Sequence, residues 1–396
     1  MDEPTIGARI RQFRGNALTQ KQVAERADIS VDLIRKLEQG KRRGASIATL
    51  HRIAKALDVD IADLVGKRYG IPSTDPDAGV VAIRRALTSV DDLLDEPGDQ
   101  PVTIADAQRS VHYAWGAYWN GRYEVLTSIL PSGITQLRAT AHAAQEPDVA
   151  SAHELLARMY WVTGCTLVHL GQTDPAFIAI RDALDAAKKG NDPLLSATLQ
   201  GSVAWQLLVQ GRYEESHRVA LKAAASVEPV GDVAEDQLAV YGSLVLQGAT
   251  ASGRNQKTGA ALDLASASAE VATRLGADTK HYECNFGPSQ VVMQQVDINV
   301  SSERYPEALV VAKEMPNRGA GLTQVSQARH LLDQAAALTR IGEHQKALDL
   351  LLTCERVGGA EWTKYQSLMK QVVAELLDYD RRSPLRALAD RVGVHV

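Results

Sequence analysis

Apolar side chains recur three and four positions apart along most of the chain, which is the spacing of one face of an α-helix. The first of the helices predicted by this pattern covers Ile6–Arg14. Thr19 and Gln22 form a capping-box pattern at the start of the second helix. Ser30 is placed to cap a third helix over Val31–Gln39, where the freed backbone N–H groups can face a phosphate.

The segment Gln20–Leu37 fits a helix-turn-helix for physical reasons. Ala24 lies where the two helices would cross, and a larger side chain would push them apart. Asp28 occupies the turn position that needs a left-handed backbone, which Asp tolerates better than most residues. Two further helices, one capped by Ser46 and a short one at Ile61–Val65, complete a five-helix unit.

These features together resemble the Xre/Cro-type helix-turn-helix domain of bacterial and phage regulators. The chain carries the family's LTQ, a turn containing Ser, an I-x-x-x-E-x-G segment and a capped fourth helix ending in KALDV. The resemblance covers residues 6–66. The family's usual Leu, Gly and Ile are replaced by Val23, Asp28 and Leu37, and the fold tolerates all three.

The loop before Leu18 is one residue shorter than in the family pattern. The length of this loop affects the position of Arg14 relative to Glu38. Whether these two side chains form the family's usual ion pair is therefore left open by the sequence.

The resemblance implies that the third helix lies in the major groove of DNA. The side chains that would contact base edges are Val31, Asp32, Arg35 and Lys36. Those that would contact phosphates are Gln20, Ser30, Lys41, Arg42 and Arg43. Proteins of this kind usually bind as dimers to half-sites one helical turn apart, which implies a homodimer on a palindromic operator.

The distribution of charge also changes near the end of the region that resembles the Xre/Cro-type domain. Residues 1–68, which we call the head, hold 14 Lys/Arg and 9 Asp/Glu, whereas the whole chain has a net charge of −5. A basic head on an acidic remainder indicates that only the head meets a polyanion. Turn-forming residues at 69–79 predict a linker. We call residues 80–396 the body.

The body repeats weakly. The runs Asn120–Glu124 and Gln210–Glu214 read NGRYE and QGRYE, and each joins an aromatic-bearing helix to a second helix. They resemble the turn of a tetratricopeptide (TPR) unit, and related turns follow near Gly171, Gly253, Glu303 and Gly342. Successive turns are 50, 40, 42, 50 and 39 residues apart. The spacing predicts a TPR-like α-solenoid with long helices, and an irregular α-bundle is the alternative.

An α-solenoid curls into a groove lined by the first helix of each hairpin. Aromatic side chains mixed with amides and charges are typical of a site for a peptide or an amphipathic small molecule. Counting back from each turn predicts the ligand contacts Trp115, Trp119, Trp161, His169, Trp205, Gln290, Gln294, Asp297 and Arg329. Burial in the core is the alternative for each of them.

The run Cys284–Val291 interrupts the helical pattern, and Pro288 is placed to begin a new helix. It resembles an F-G-P-T-N-V segment of actinobacterial regulators that join an Xre-type domain to TPR-like repeats. Residues 385–394 also resemble the tail of those proteins. Ser289, Gln290 and Gln294 replace residues common there, which would alter ligand choice.

Composition narrows the function further. With 45% hydrophobic and 23% charged residues, the chain has the make-up of a soluble globular protein. Its three cysteines are far apart, so we expect neither a disulfide framework nor a zinc site. No P-loop, GxSxG, HExxH or Rossmann motif is present, and we expect no catalytic residues, metal or cofactor. The charged start and the polar residues of Pro193–Gly211 favour a cytoplasmic protein without a membrane segment.

The sequence therefore predicts an all-α, ligand-responsive transcriptional regulator. The head would bind operator DNA, and the body would dimerise and sense a small molecule or a peptide. The alternative is a DNA-tethered adaptor whose groove binds another protein without a small-molecule ligand.

Overall fold

The computed structural model describes residues 5–15, 18–42, 45, 47–57, 59, 64, 77–94, 99–379 and 383–394. Over these ranges every extended element is a helix, and the one β contact is an isolated bridge between Thr279 and Phe286. The all-α prediction is confirmed.

The head contains the predicted helices, with α1 at Ile6–Arg14, α2 at Gln20–Ala27, α3 at Val31–Glu38 and α4 at Ile47–Leu57. The predicted turn chemistry is also present. Thr19 and Gln22 form the capping box, Asp28 is left-handed with φ 51° and ψ 53°, and the Ser30 hydroxyl accepts the Leu33 N–H. Ser46 and the predicted fifth helix lie outside the described residues, except for the buried Leu64.

A small apolar core holds the head together, and its central side chains are Ile10, Val23, Ile34, Leu37 and Ile53. Each fully buried side chain of this size contributes roughly 1.5–3 kcal/mol. Gly7 lets α1 cross α3 closely, because a Cβ there would lie 1.8 Å from the Leu37 carbonyl oxygen. The Arg14 guanidinium pairs with Glu38 at 2.7 and 3.1 Å, so the family's ion pair forms despite the shorter loop.

The body begins with helices at Asp77–Leu87 and Val90–Leu93 and continues as six helical hairpins. Asp77–Gly79 were predicted as the end of the linker but form the first turn of a helix, and residues 69–76 lie outside the described part of the chain. The hairpins, numbered first to sixth, are Ile104–Trp119 with Tyr123–Ala143, Val149–His169 with Thr173–Ala187, Pro193–Val209 with Tyr213–Ser226, Glu235–Arg254 with Thr258–Leu275, Pro288–Ser301 with Tyr305–Val311, and Gln324–Arg340 with His344–Tyr365. Helices at Ser367–Leu377 and Ser383–Val392 follow.

Each hairpin turns through one left-handed residue, and these residues are Gly121, Gly171, Gly211, Gln256, Glu303 and Gly342. Five of the six lie at predicted turns. The turn expected near Gly253 is instead made by Gln256, whose side-chain amide donates to the Ser301 carbonyl oxygen at 3.2 Å. Gly253 itself lies inside a helix and packs against Ile298.

The helical repeats curl until the first and sixth hairpins meet. The Glu361 carboxylate accepts the Glu124 backbone N–H at 2.7 Å, and the Tyr123 and Tyr365 rings meet edge to face with centroids 5.5 Å apart. We call these contacts the seam. The repeats therefore surround the groove expected for a solenoid, which remains open to solvent.

The three cysteines, Cys165, Cys284 and Cys354, are free thiols. Pro193–Gly211, the segment whose polar residues argued against a membrane span, contains the first helix of the third hairpin, Pro193–Val209. Among the described residues, no helix combines the length and apolar character needed to cross a membrane.

Candidate functional site

The exposed face of α3 carries three of the four side chains predicted to read bases, and the fourth, Val31, is half-buried against the core of the head. Asp32, Arg35 and Lys36 are each more than half exposed, at 58, 52 and 53%. Asp32 pairs with Lys36 at 2.8 Å and with Arg35 at 4.0 Å, and the hydrogen bond from Lys36 lowers the pKa of Asp32. Exposed pairs of this kind are weak, so all three side chains can exchange partners when DNA arrives.

The residues predicted to contact phosphate differ in whether their side chains already bond to other parts of the protein. The Gln20 amide donates to Glu38 at 2.8 Å, the Ser30 hydroxyl caps α3, and Lys41 is exposed. Arg43 lies outside the described residues. Arg42 is the member of this set whose contact connects the head to the body.

The head rests on the body through the segment that follows α3 and through α4. Arg42 pairs with Glu303 at 3.7 Å, and the Gln371 amide donates to the Ala45 carbonyl oxygen at 3.3 Å. The His51 ring meets Tyr213 edge to face, with centroids 5.7 Å apart. An arginine expected to lie on the DNA backbone thus lies on the body in this arrangement.

Inside the repeat domain lies a cavity of about 320 Å³, which we call the tryptophan cavity. The chain has five tryptophans, and all of them line it: Trp115, Trp119, Trp161, Trp205 and Trp362. Of the nine predicted ligand contacts, seven lie in its wall: Trp115, Trp119, Trp161, His169, Trp205, Gln290 and Arg329. The inward positions were predicted by counting back from the turns. Seven of the predicted side chains, from five hairpins, line the tryptophan cavity.

The aromatic rings form a connected cluster on one side of this cavity. Trp115 lies 4.7 Å from Trp161 and 5.8 Å from Trp119 between ring centroids. His169 extends the cluster, 5.6 Å from Tyr118 and 5.5 Å from Trp205. Burial lowers the pKa of His169 to about 4, so this ring is neutral at pH 7.

Four buried polar atoms in the cavity wall have no hydrogen-bond partner among the described residues. They are Trp115 Nε1, Gln247 Nε2, Asn285 Oδ1 and Gln290 Oε1. A buried polar group left unpaired costs about 1–3 kcal/mol. The residues that carry these four atoms line the cavity, and a small reorientation of their side chains would offer the atoms to a polar-edged ligand.

An irregular segment between the fourth and fifth hairpins delivers further groups to the cavity. Phe286 anchors it against Gly242, where a Cβ would lie 2.1 Å from the Phe286 ring. Tyr282 and Glu283 adopt left-handed backbones with φ 50° and 55°, which is costly for non-glycine residues. The segment places Glu283 in the wall, where the Trp119 indole N–H donates to its carboxylate at 3.0 Å. Burial raises the pKa of Glu283 above its usual value.

A chain of four charges, the ion-pair chain, lies beside the cavity, and in it two buried aspartates alternate with two half-buried arginines. Asp297 pairs with Arg254 and, at 2.9 Å, with Arg329, and Arg329 also meets Asp333 at 2.9 Å. Burial raises the pKa of Asp333 to about 6. Arg329 also lines a second, smaller cavity of about 50 Å³, whose wall includes Gln371, a residue that contacts the head.

Two predicted ligand contacts lie elsewhere. Gln294 accepts a hydrogen bond from Thr250 at 3.1 Å on the neighbouring helix, and Asp297 is held in the ion-pair chain. The wall residues that sequence reasoning missed include Gln247, Glu283, Asn285 and Trp362. The break before Pro288 was the available signal for Glu283 and Asn285, while Trp362 lies on a second helix and gave none.

The head is a helix-turn-helix domain, and the chain joins it to a TPR-like helical-repeat domain. Residues 5–65 match a family model described as "Helix-turn-helix domain". Comparison with curated proteins gives no match.

Several solved structures resemble the chain, among them the following two. One, from "Functional Characterization of Pseudomonas Aeruginosa pilF", is 16% identical, with a TM-score of 0.34, over 67% of this chain and 98% of that one. The other, from "Crystal Structure of the Apo Form of RapI", is 11% identical, with a TM-score of 0.36, over 69% of this chain and 86% of that one.

Proposed function

We propose that this protein is a transcriptional regulator whose head binds operator DNA and whose body senses a small molecule. The observation that carries the proposal is the tryptophan cavity with its four unpartnered polar atoms, built on the same chain as a helix-turn-helix domain. A DNA-binding head also assigns the protein to the compartment that holds the chromosome.

The size of the tryptophan cavity favours a small molecule over a protein partner. An adaptor would need a long groove, but the seam between the first and sixth hairpins joins the two ends of the repeat array and limits the groove's length. The cavity volume of about 320 Å³ falls in the range of small-molecule sites, roughly 300–1,000 Å³. A short peptide side chain would fit this space, whereas a folded partner would not.

On DNA, α3 would lie in the major groove. Arg35 and Lys36 suit guanine, Asp32 suits the cytosine amino group, and Val31 suits the thymine methyl. Phosphates would be held by Gln20, Ser30, Lys41, Arg42 and Arg43. One head covers one half-site, so we propose a homodimer whose contacts come from the body.

The contacts of Arg42 and Arg329 support an energetic coupling between the DNA-binding face of the head and the tryptophan cavity. Arg42 either pairs with Glu303 or meets a phosphate, so the docked head and the DNA-bound head compete. Arg329 lies in the walls of both cavities, and the smaller one adjoins the surface that holds the head. A ligand shifts this competition only by its differential affinity for the two arrangements, typically 1–3 kcal/mol.

The test begins with selection of bound sequences from random DNA by the full chain. Operator affinity is then measured with and without a small-molecule fraction from the source organism, while tryptophan fluorescence reports on the cavity. We expect a palindromic consensus and a fraction that changes both signals together. Sequence-specific DNA binding that no small-molecule fraction alters would favour the adaptor instead.

A further inference from the structure

Two charged side chains line the tryptophan cavity, and only one of them is balanced. Arg329 is neutralised by Asp297 and Asp333 in the ion-pair chain. Glu283 accepts a hydrogen bond from the neutral Trp119 indole, and it forms no ion pair with a cation among the described residues. His169, the other titratable ring in the wall, is held neutral by burial. The wall thus presents one uncompensated carboxylate.

The cations nearest to Glu283 do not neutralise it. Arg158, His112 and Lys280 are close enough to lower the pKa of Glu283, but burial outweighs them. Arg158 pairs with Asp192 at 3.6 Å, while His112 and Lys280 are exposed to solvent, which screens their charge. The half-buried carboxylate therefore lacks a counter-ion close enough to balance it.

The other groups around Glu283 are suited to a cation. Indole faces attract ammonium groups through their quadrupole, most strongly where water is excluded. The cavity brings five indoles and the Tyr118 ring together around its space. The unpartnered amides of Gln247, Asn285 and Gln290 can present either an N–H donor or a carbonyl acceptor to a ligand, so they do not select its charge. The charge of the ligand is selected by the aromatic rings and the Glu283 carboxylate.

We propose that the effector is an organic cation, an ammonium group joined to a flat apolar body, bound with the ammonium beside Glu283 and the body among the tryptophan rings. This inference rests on the proposed sensing function and names the chemistry of its ligand. The backbone at Tyr282 and Glu283 is strained because it is left-handed, and this conformation places the carboxylate beside the ammonium group.

The experiment compares three probes of similar shape on the full chain by calorimetry and tryptophan fluorescence. They are benzyltrimethylammonium, its neutral isostere neopentylbenzene, and the anion 4-tert-butylbenzoate. We expect the cation to bind at least about tenfold more tightly than the isostere, a ratio typical of a desolvated cation among aromatic rings. Glu283→Gln should reduce this preference to the part that the aromatic rings supply, and it should leave neopentylbenzene affinity unchanged, which also shows that the variant is folded.

Glu283→Asp keeps the charge and should keep most of the preference, whereas Glu215→Gln, at an exposed carboxylate paired with Arg212, should change nothing. A neutral or anionic probe that binds as well as the cation would overturn the inference. So would the absence of cation binding at millimolar concentration. A regulator that still responds to a natural small-molecule fraction would keep the proposed function and lose only this ligand class.

Discussion

Arg42 of the head lies 3.7 Å from Glu303 of the body, and both side chains are about one-third exposed, at 33 and 38%. The same arginine is predicted to contact the DNA backbone. Glu303 stands at the left-handed turn of the fifth hairpin, one residue before the Arg304 that precedes its second helix. The contact links an arginine that is predicted to bind DNA to a turn of the repeat domain.

Removing this contact should favour DNA binding. Glu303→Gln removes the ion pair between Arg42 and Glu303, and because partly exposed ion pairs contribute about 0–1 kcal/mol, operator affinity without ligand should rise by up to about fivefold. Fluorescence anisotropy with labelled operator measures the change. Glu307→Gln, which removes an exposed partner of Arg304 at 3.4 Å, is the matched control and should have no effect. Equal affinities for all three proteins would show that the docked head does not compete with DNA.

A second measurement should distinguish the base contacts of α3 from the phosphate contacts of the head. Arg35→Ala should cost about 1–3 kcal/mol on the cognate operator and relax base preference. Lys41→Ala should weaken binding to all sequences alike and flatten the salt dependence. If Arg35→Ala weakens cognate and random DNA equally, α3 is not the reader.

Local signals predicted the head well because its chemistry is local. The capping box at Thr19, the left-handed Asp28 and the Ser30 cap each involve residues within a few positions of one another. The Arg14–Glu38 pair spans two helices, so the sequence left it open. The fourth turn was misplaced because Gln256 makes it without glycine, stabilised by a bond to Ser301 that no short pattern encodes.

The wall of the tryptophan cavity also contains some residues that local sequence signals predict and others that they do not. Side chains on first helices, such as Trp161 and Trp205, follow from helical periodicity counted from the turns. Glu283 comes from an irregular segment with no period, and Trp362 comes from a helix broken at Gly359, where φ is 80°. Closure of the repeats was not predicted, because it depends on small rotations that accumulate over six hairpins.

Assembly gives a third prediction. Light scattering of the intact protein should give about twice 42.8 kDa, because one head covers only half of a palindromic site. The isolated head should bind the full operator much more weakly than the whole chain. A monomer at micromolar concentration that binds a palindrome tightly would contradict the homodimer.

Acid should destabilise the body through its buried histidines. His330 is 6% exposed, and burial lowers its pKa to about 4. The unfolded chain takes up a proton near pH ~6.5, whereas the folded chain resists until about pH 4. This contribution is therefore constant above pH ~6.5 and costs up to about 3 kcal/mol as the pH falls toward 4.

Urea unfolding at several pH values measures this effect as a difference between variants. The free energy of unfolding of His330→Gln should fall less between pH 7 and 5 than that of the wild type. His142→Gln, at an exposed histidine, should retain the full wild-type slope. Parallel curves for His330→Gln and wild type would mean that His330 already binds its proton in the folded state.

The last prediction concerns Arg329, which connects the two cavities. Its guanidinium meets Asp333 through Nε and Asp297 through a terminal nitrogen, both at 2.9 Å. Lysine keeps the charge but cannot hold two carboxylates in this fork geometry. Arg329→Lys should therefore still bind effector, yet effector should change its operator affinity by about tenfold less than in the wild type, within the usual 1–3 kcal/mol of coupling. Arg391→Lys, at an outer Arg–Glu355 pair of similar geometry, is the control and should leave coupling intact. Because disrupting a buried pair also costs stability, thermal unfolding accompanies each titration. Full coupling in a folded Arg329→Lys protein would show that the signal reaches the head by another route.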